Sequence, residues 1–259
     1  MLSPHLPTPS PRLRALNTQA LLAQHSGLWR AAHLGHSTQP CWPSGFAALD
    51  AELPGGGWPT QALSELLQAQ PGEAELRLLA PALAASSGGS GSKPLLLINP
   101  PHEPHALPGL GERELLWLQP SSVAQALWSA EQALASNAVV VVAWLERADA
   151  AQLRRLQAAA QHCSSPAFVL RPLGCAAQSS PAPLRLSLAC AGPGMLQLQL
   201  LKRRGPPCAQ PLWLQAWPGA LQQQLSPRQQ GAATAPPPTP APLAQPRVDA
   251  RRAHASAAR

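Results

Sequence analysis

The chain has 259 residues, 45% hydrophobic and only 12% charged, with 32 prolines, 8 tryptophans, no tyrosine and 2 lysines. That length suggests one or two domains and can bury a full core, which argues against a wholly disordered chain. No apolar run reaches the roughly 18 residues of a membrane helix, and the first residues lack the apolar centre of a signal peptide. Five cysteines (Cys41, Cys163, Cys175, Cys190 and Cys208) with no CxxC pair exclude a disulfide framework and a zinc ribbon. The expectation is a reduced cytoplasmic protein.

The net charge of +7 is concentrated at the ends. Residues 27–217 carry 12 basic and 11 acidic side chains, whereas residues 218–259 carry five arginines against Asp249. A near-neutral middle gives little support to a nucleic-acid-binding core.

In chain order, residues 1–44 are expected to form a helical segment and linker. Leu13, Leu16, Ala20, Leu21, Leu28 and Trp29 follow helical spacing over 11–34, and Pro40, Pro43 and Gly45 end the pattern. Residues 62–67 read as a strand and 74–85 as a helix closing on a Ser/Gly loop. Residues 94–98 and 115–118 are short apolar runs between breakers, as buried strands are. Residues 122–135 read as a helix with Ser121 or Ser122 as N-cap. Residues 139–145 hold four consecutive valines, the strongest strand, expected to be covered on both faces. A helix over 148–162, a strand over 167–170 and an alternating pair at 184–188 and 195–201 follow. This order predicts an α/β fold: a mostly parallel central sheet flanked by helices, with a C-terminal antiparallel strand pair. Residues 218–259, rich in Pro, Ala and Gln, read as a disordered basic tail.

Such a chain invites a nucleotide-binding hypothesis. The phosphate loop GxxxxGK[ST] needs glycines to bring N–H groups around phosphates, a lysine and a hydroxyl. Neither Lys93 nor Lys202 follows a glycine, so the motif is absent. What surrounds the gap is Gly45-Phe-Ala-Ala-Leu-Asp-Ala-Glu-Leu-Pro-Gly-Gly-Gly-Trp-Pro-Thr60, then the 62–67 strand, then Gln68-Ala-Gln-Pro-Gly-Glu-Ala-Glu75. This resembles the entry to the core of RecA-type recombinases, with Glu73, Ala74 and Glu75 where Gly-Lys-Thr is expected. Two carboxylates there repel phosphate. By the same resemblance the catalytic glutamate falls on Pro101 and the metal-binding aspartate on Ala143.

Further pieces are Leu28-Trp-Arg30, Pro71-Gly-Glu-Ala-Glu-Leu-Arg-Leu-Leu79, Ala143-Trp-Leu-Glu-Arg-Ala-Asp149, Pro183-Leu-Arg-Leu186 and Leu201-Lys-Arg-Arg-Gly-Pro-Pro207. Together they resemble the ImuA family, RecA-like accessory proteins of error-prone polymerase cassettes, some of which carry a SulA-like label. The resemblance implies a degenerate RecA-like domain over 45–217, no enzymatic activity and no cofactor. It implies a role in damage-induced translesion synthesis, in the cytoplasm and at the nucleoid. The implied partners are ImuB, an inactive Y-family polymerase homologue, and RecA, with DNA met through the complex; self-association stays open. The alternatives are a single-stranded-DNA-binding scaffold, a SulA-type division inhibitor, and a residual ATPase in which Lys93 or an arginine replaces the missing lysine.

The candidate binding residues are Lys202, Arg203, Arg204 and Trp29. The basic triplet at a strand end suits phosphate or an acidic surface, or is a solvated terminus. Trp29 is an interface anchor or a core residue. Glu73 and Glu75 are expected to serve the helix start. His102-Glu103-Pro-His105 lacks HExxH spacing, and His162-Cys163 lacks a third catalytic member. Trp58, Trp117, Trp128 and Trp144 are expected to pack in the core, and Trp213 and Trp217 to meet partners.

Overall fold

The valine run expected to be the central strand is buried from end to end as Val140–Trp144. In this computed structural model, residues 40–72, 74–86, 92–104, 113–192, 194–218, 221 and 224 are described. The lead-in helix with Trp29, and the tail beyond 224, lie outside them.

The elements are β1 (Cys41–Trp42), α1 (Ala47–Glu52), β2 (Trp58–Pro59), β3 (Leu63–Gln68), α2 (Glu75–Ala85), β4 (Leu95–Ile98), β5 (Leu115–Leu118) and α3 (Val123–Ser136). Then come β6 (Val140–Trp144), α4 (Ala150–Ala160), β7 (Ala167–Pro172), a 3-10 turn (Leu173–Ala177), β8 (Leu184–Cys190), β9 (Met195–Lys202) and β10 (Leu212–Gln215). One eight-stranded sheet runs β10-β9-β8-β3-β7-β6-β4-β5. The pairs from β8 to β5 are parallel and β9 and β10 are antiparallel. β1 and β2 form a separate antiparallel pair.

The α/β class and the mostly parallel sheet are as the sequence led one to expect. The antiparallel strands extend the central sheet: β8 pairs in parallel with β3 before turning back as β9. β10, α1 and the β1–β2 pair were not anticipated. β1, β2, β10 and α1 have two to six residues each, too few for a period to emerge.

Alternation along the strands divides the core. Leu66, Leu95, Leu97, Val140, Val142, Phe168 and Leu170 face α1 and α2, with Trp58 edge-on to Phe168 at 5.2 Å. Leu63, Leu96, Ile98, Val141, Ala143 and Val169 face α3 and α4. Gly45, with φ +86°, lies under α2: a Cβ there would meet the Pro81 Cβ at 2.4 Å.

The helix starts follow local chemistry. Ser122 Oγ accepts from Gln125 N, as anticipated. Asp149 accepts from the N–H groups of Ala151 and Gln152, both at 2.8 Å, while the Gln152 side chain accepts from Asp149 N. Asp149→Ala removes this capping box and is expected to cost about 1 kcal/mol in urea unfolding.

Candidate functional site

The strands of the parallel core end on one side, where ligands sit in folds of this class. β3 runs out at Gln68, and α2 begins at Glu75. Glu75, the first residue of α2, is completely buried. Its Oε1 accepts from Gly72 N at 2.6 Å and from Trp144 Nε1 at 2.9 Å, and its Oε2 accepts from Ala74 N at 3.1 Å. Gly72, at φ +98°, abuts the His102 ring of the β4–β5 connection, where a Cβ would lie 2.7 Å from Cδ2. Three N–H donors and a helix N-terminus thus converge on one anion, and the chain supplies that anion itself. Glu75 serves the helix start, as the sequence suggested. Glu73 lies outside the described residues. Ala143, at the end of β6, is buried without a ligating atom.

Beside this cradle lies a cleft of about 140 Å³, lined by the ends of β3, β6 and β7. Its walls include Pro71, Trp144, Leu170 and Pro172, and Glu146 and Arg171 border it. Gln68 lines it too, with 3% of its surface exposed and neither amide atom hydrogen-bonded. A buried polar group left unpaired costs about 1–3 kcal/mol.

On the α4 face of β3, Glu65 is 1% exposed. Its Oε1 accepts from Arg171 Nη1 at 2.9 Å and its Oε2 from Arg185 Nε at 2.8 Å. Arg171 also donates to the Ala148 carbonyl, and Arg185 to the Cys175 and Ala176 carbonyls. The triad ties the 3-10 turn and the start of α4 to three adjacent strands. Burial alone would raise the Glu65 pKa. Hydrogen bonds from Ser180, Arg171 and Arg185, with the Arg185 charge, overcome this and leave it lowered.

The basic triplet is engaged at home. Lys202 Nζ donates to the Ser180 carbonyl at 2.8 Å. Arg203 donates to the Pro206 carbonyl at 2.7 Å and pairs with the Glu52 carboxylate at 2.6 Å. Arg204 is exposed and also has interactions within the chain. Lys93 Nζ donates to Asn137 Oδ1 and, at 2.9 Å, to Ser164 Oγ. Those groups surround the amino-terminal ends of β4 and β6, across the sheet from the cradle. Cys163 is buried with its thiol against the Leu134 carbonyl at 3.1 Å, and burial raises its pKa. His102 and Glu103 are exposed, and His105 lies outside the described residues. Among the described residues no group of three or more His, Cys, Asp or Glu is placed to hold a metal, and no helix is long and apolar enough to cross a membrane.

Two tryptophans depart from expectation. Trp58 and Trp144 are buried, but Trp117 is 40% and Trp128 62% exposed. Trp117 stands on β5, the last strand of the sheet, where one flank has no neighbouring strand among the described residues. Trp128 follows Leu127 by one residue, about 100° around α3 from the buried stripe of Ala126, Leu127, Ala130 and Leu134. Leu116, Leu118 and Val123 are also exposed, and residues 115–130 contain no charged side chain. The helical offset of Trp128 and this neutrality were readable signals; the position of β5 at the edge was not. Trp213 and Trp217 are half-buried, and Trp217 packs over Gly194. No protein-family model matches this chain, and no curated protein matches it.

Proposed function

We propose that this protein binds rather than catalyses: a RecA-like domain with a closed phosphate site, serving as an adaptor in damage-induced translesion synthesis. The observation that carries the non-catalytic part is the Glu75 carboxylate lying across the N–H donors that a nucleotide phosphate would need. The adaptor surface is the uncharged apolar edge formed by β5 and the start of α3. Among the described residues no strand pairs with the outer side of β5, which carries no lysine, proline or bulge, and exposed tryptophan is a frequent anchor of interfaces. The partners in this proposal are an ImuB-like inactive polymerase homologue and RecA, from the sequence resemblance to the ImuA family. Direct DNA binding by residues 202–204 is less favoured, because Lys202 and Arg203 are already held by the fold.

The test is capture of partners from DNA-damaged cells by the tagged full chain, with nuclease and without ATP. Both partners are expected to stay bound. Leu116→Lys with Trp128→Glu is expected to reduce their recovery at least tenfold without lowering the unfolding midpoint. Recovery that vanishes with nuclease, or DNA-stimulated ATP hydrolysis by the purified chain, would refute the adaptor reading.

A further inference from the structure

The cleft beside the cradle has the features of a ligand site that neither the fold nor the adaptor surface uses. Its lining is apolar on the sides of Pro71, Leu170 and Pro172, and Trp144 presents its indole there. Gln68 borders it with an acceptor and two donors, all unmade. Arg171 borders the cleft too, but its side chain turns to the opposite face of the sheet, where it is bound to Glu65, Ala148 and Gln178. The terminal torsion of a glutamine is broad, so its amide edge turns toward an incoming group without leaving a rotamer well.

Charge selects the ligand. Glu75 already takes the donors of the loop and of Trp144, and Glu146 stands at the border of the cleft. Both carboxylates oppose an anion. The Glu65 group, one carboxylate with two arginines, lies on the α4 face of the sheet, opposite the face to which alternation turns Gln68. A flat neutral group with an acceptor beside a donor meets the unmade bonds of Gln68 edge to edge, between apolar walls.

We propose that this cleft binds a neutral planar amide, its carbonyl accepting from Gln68 Nε2 and its N–H donating to Gln68 Oε1. Only an amide with an N–H syn to its carbonyl makes both bonds, so the ligand is a small primary carboxamide; in a trans peptide amide the two groups point to opposite edges. The Trp144 indole N–H of the full chain is followed by NMR, assigned by its loss in Trp144→Phe. Nicotinamide and N-methylacetamide are titrated separately, with ATP and inorganic phosphate as anionic probes. A saturable shift with nicotinamide and none with N-methylacetamide, a trans amide, is the expected result. Gln68→Leu and, as a volume-conserving second variant, Gln68→Met are expected to weaken that binding at least tenfold while keeping or raising the unfolding midpoint. The proposal falls if nicotinamide does not shift the signal, if N-methylacetamide binds as well as nicotinamide, if both variants bind as the parent does, or if phosphate competes with nicotinamide.

Discussion

Glu65→Ala is expected to be among the most damaging single substitutions in the described core, lowering unfolding free energy by about 3–5 kcal/mol. The carboxylate holds two arginines that are themselves buried, Arg171 at 4% and Arg185 at 7% exposure. Removing it leaves two cations close together, out of water and without a counter-charge. Urea unfolding of Glu65→Ala and Glu65→Gln at neutral pH measures the effect. The amide variant keeps the shape and loses the charge, so most of the loss is expected to remain. The pH dependence has a defined sign. Because the folded pKa of Glu65 is lowered, its stabilisation is complete above the ordinary carboxylate range and disappears as pH falls through the lowered value. The gap between the parent and Glu65→Gln should hold steady down to about pH 5 and narrow below about pH 4. A gap that stays constant into acid would show that the ionised carboxylate is not what holds the arginines.

Glu75→Ala tests the cradle. It orphans the Gly72 and Ala74 N–H groups and the Trp144 indole N–H together, for an expected loss of about 2–4 kcal/mol. The vacated site still presents its donors at a helix start, so a small carboxylate can take the place of the missing side chain. Excess formate is expected to raise the unfolding midpoint of Glu75→Ala more than that of the parent, by the usual ligand linkage. Equal responses would mean that the donors are satisfied in some other way once Glu75 is gone. ATP hydrolysis is not expected to appear in the variant, since Ala143 and Pro101 offer no metal ligand or general base.

Both residues show how far the sequence reaches. Glu75 could be assigned to the helix start from its position after Pro71 and Gly72. Its complete burial and its bond to Trp144 could not, because the two residues are 69 positions apart and meet only when β3 and β6 are sheet neighbours of β7. Nothing local marks Glu65 in its apolar strand, since its partners lie 106 and 120 residues away. The basic triplet drew attention for its composition, and the fold engages it with Ser180, Pro206 and Glu52.

What the sequence by itself determined is what depends on near neighbours. Apolar runs between breakers defined β4, β5, β6 and β7, helical spacing defined α2, α3 and α4, and the order of these elements led to the parallel sheet. The missing Gly-Lys step excluded a standard phosphate loop. Only the tertiary structure decided which strand became the edge, and hence that Leu116, Trp117 and Leu118 are exposed. A strand at the edge and a strand at the centre share the same local preference and differ in whether a neighbour pairs with the second side. The same reason governs the cleft: the amide of Gln68 lacks a partner because of what the sheet, Pro71 and the end of β7 bring around it, not because of the residues beside it in the chain.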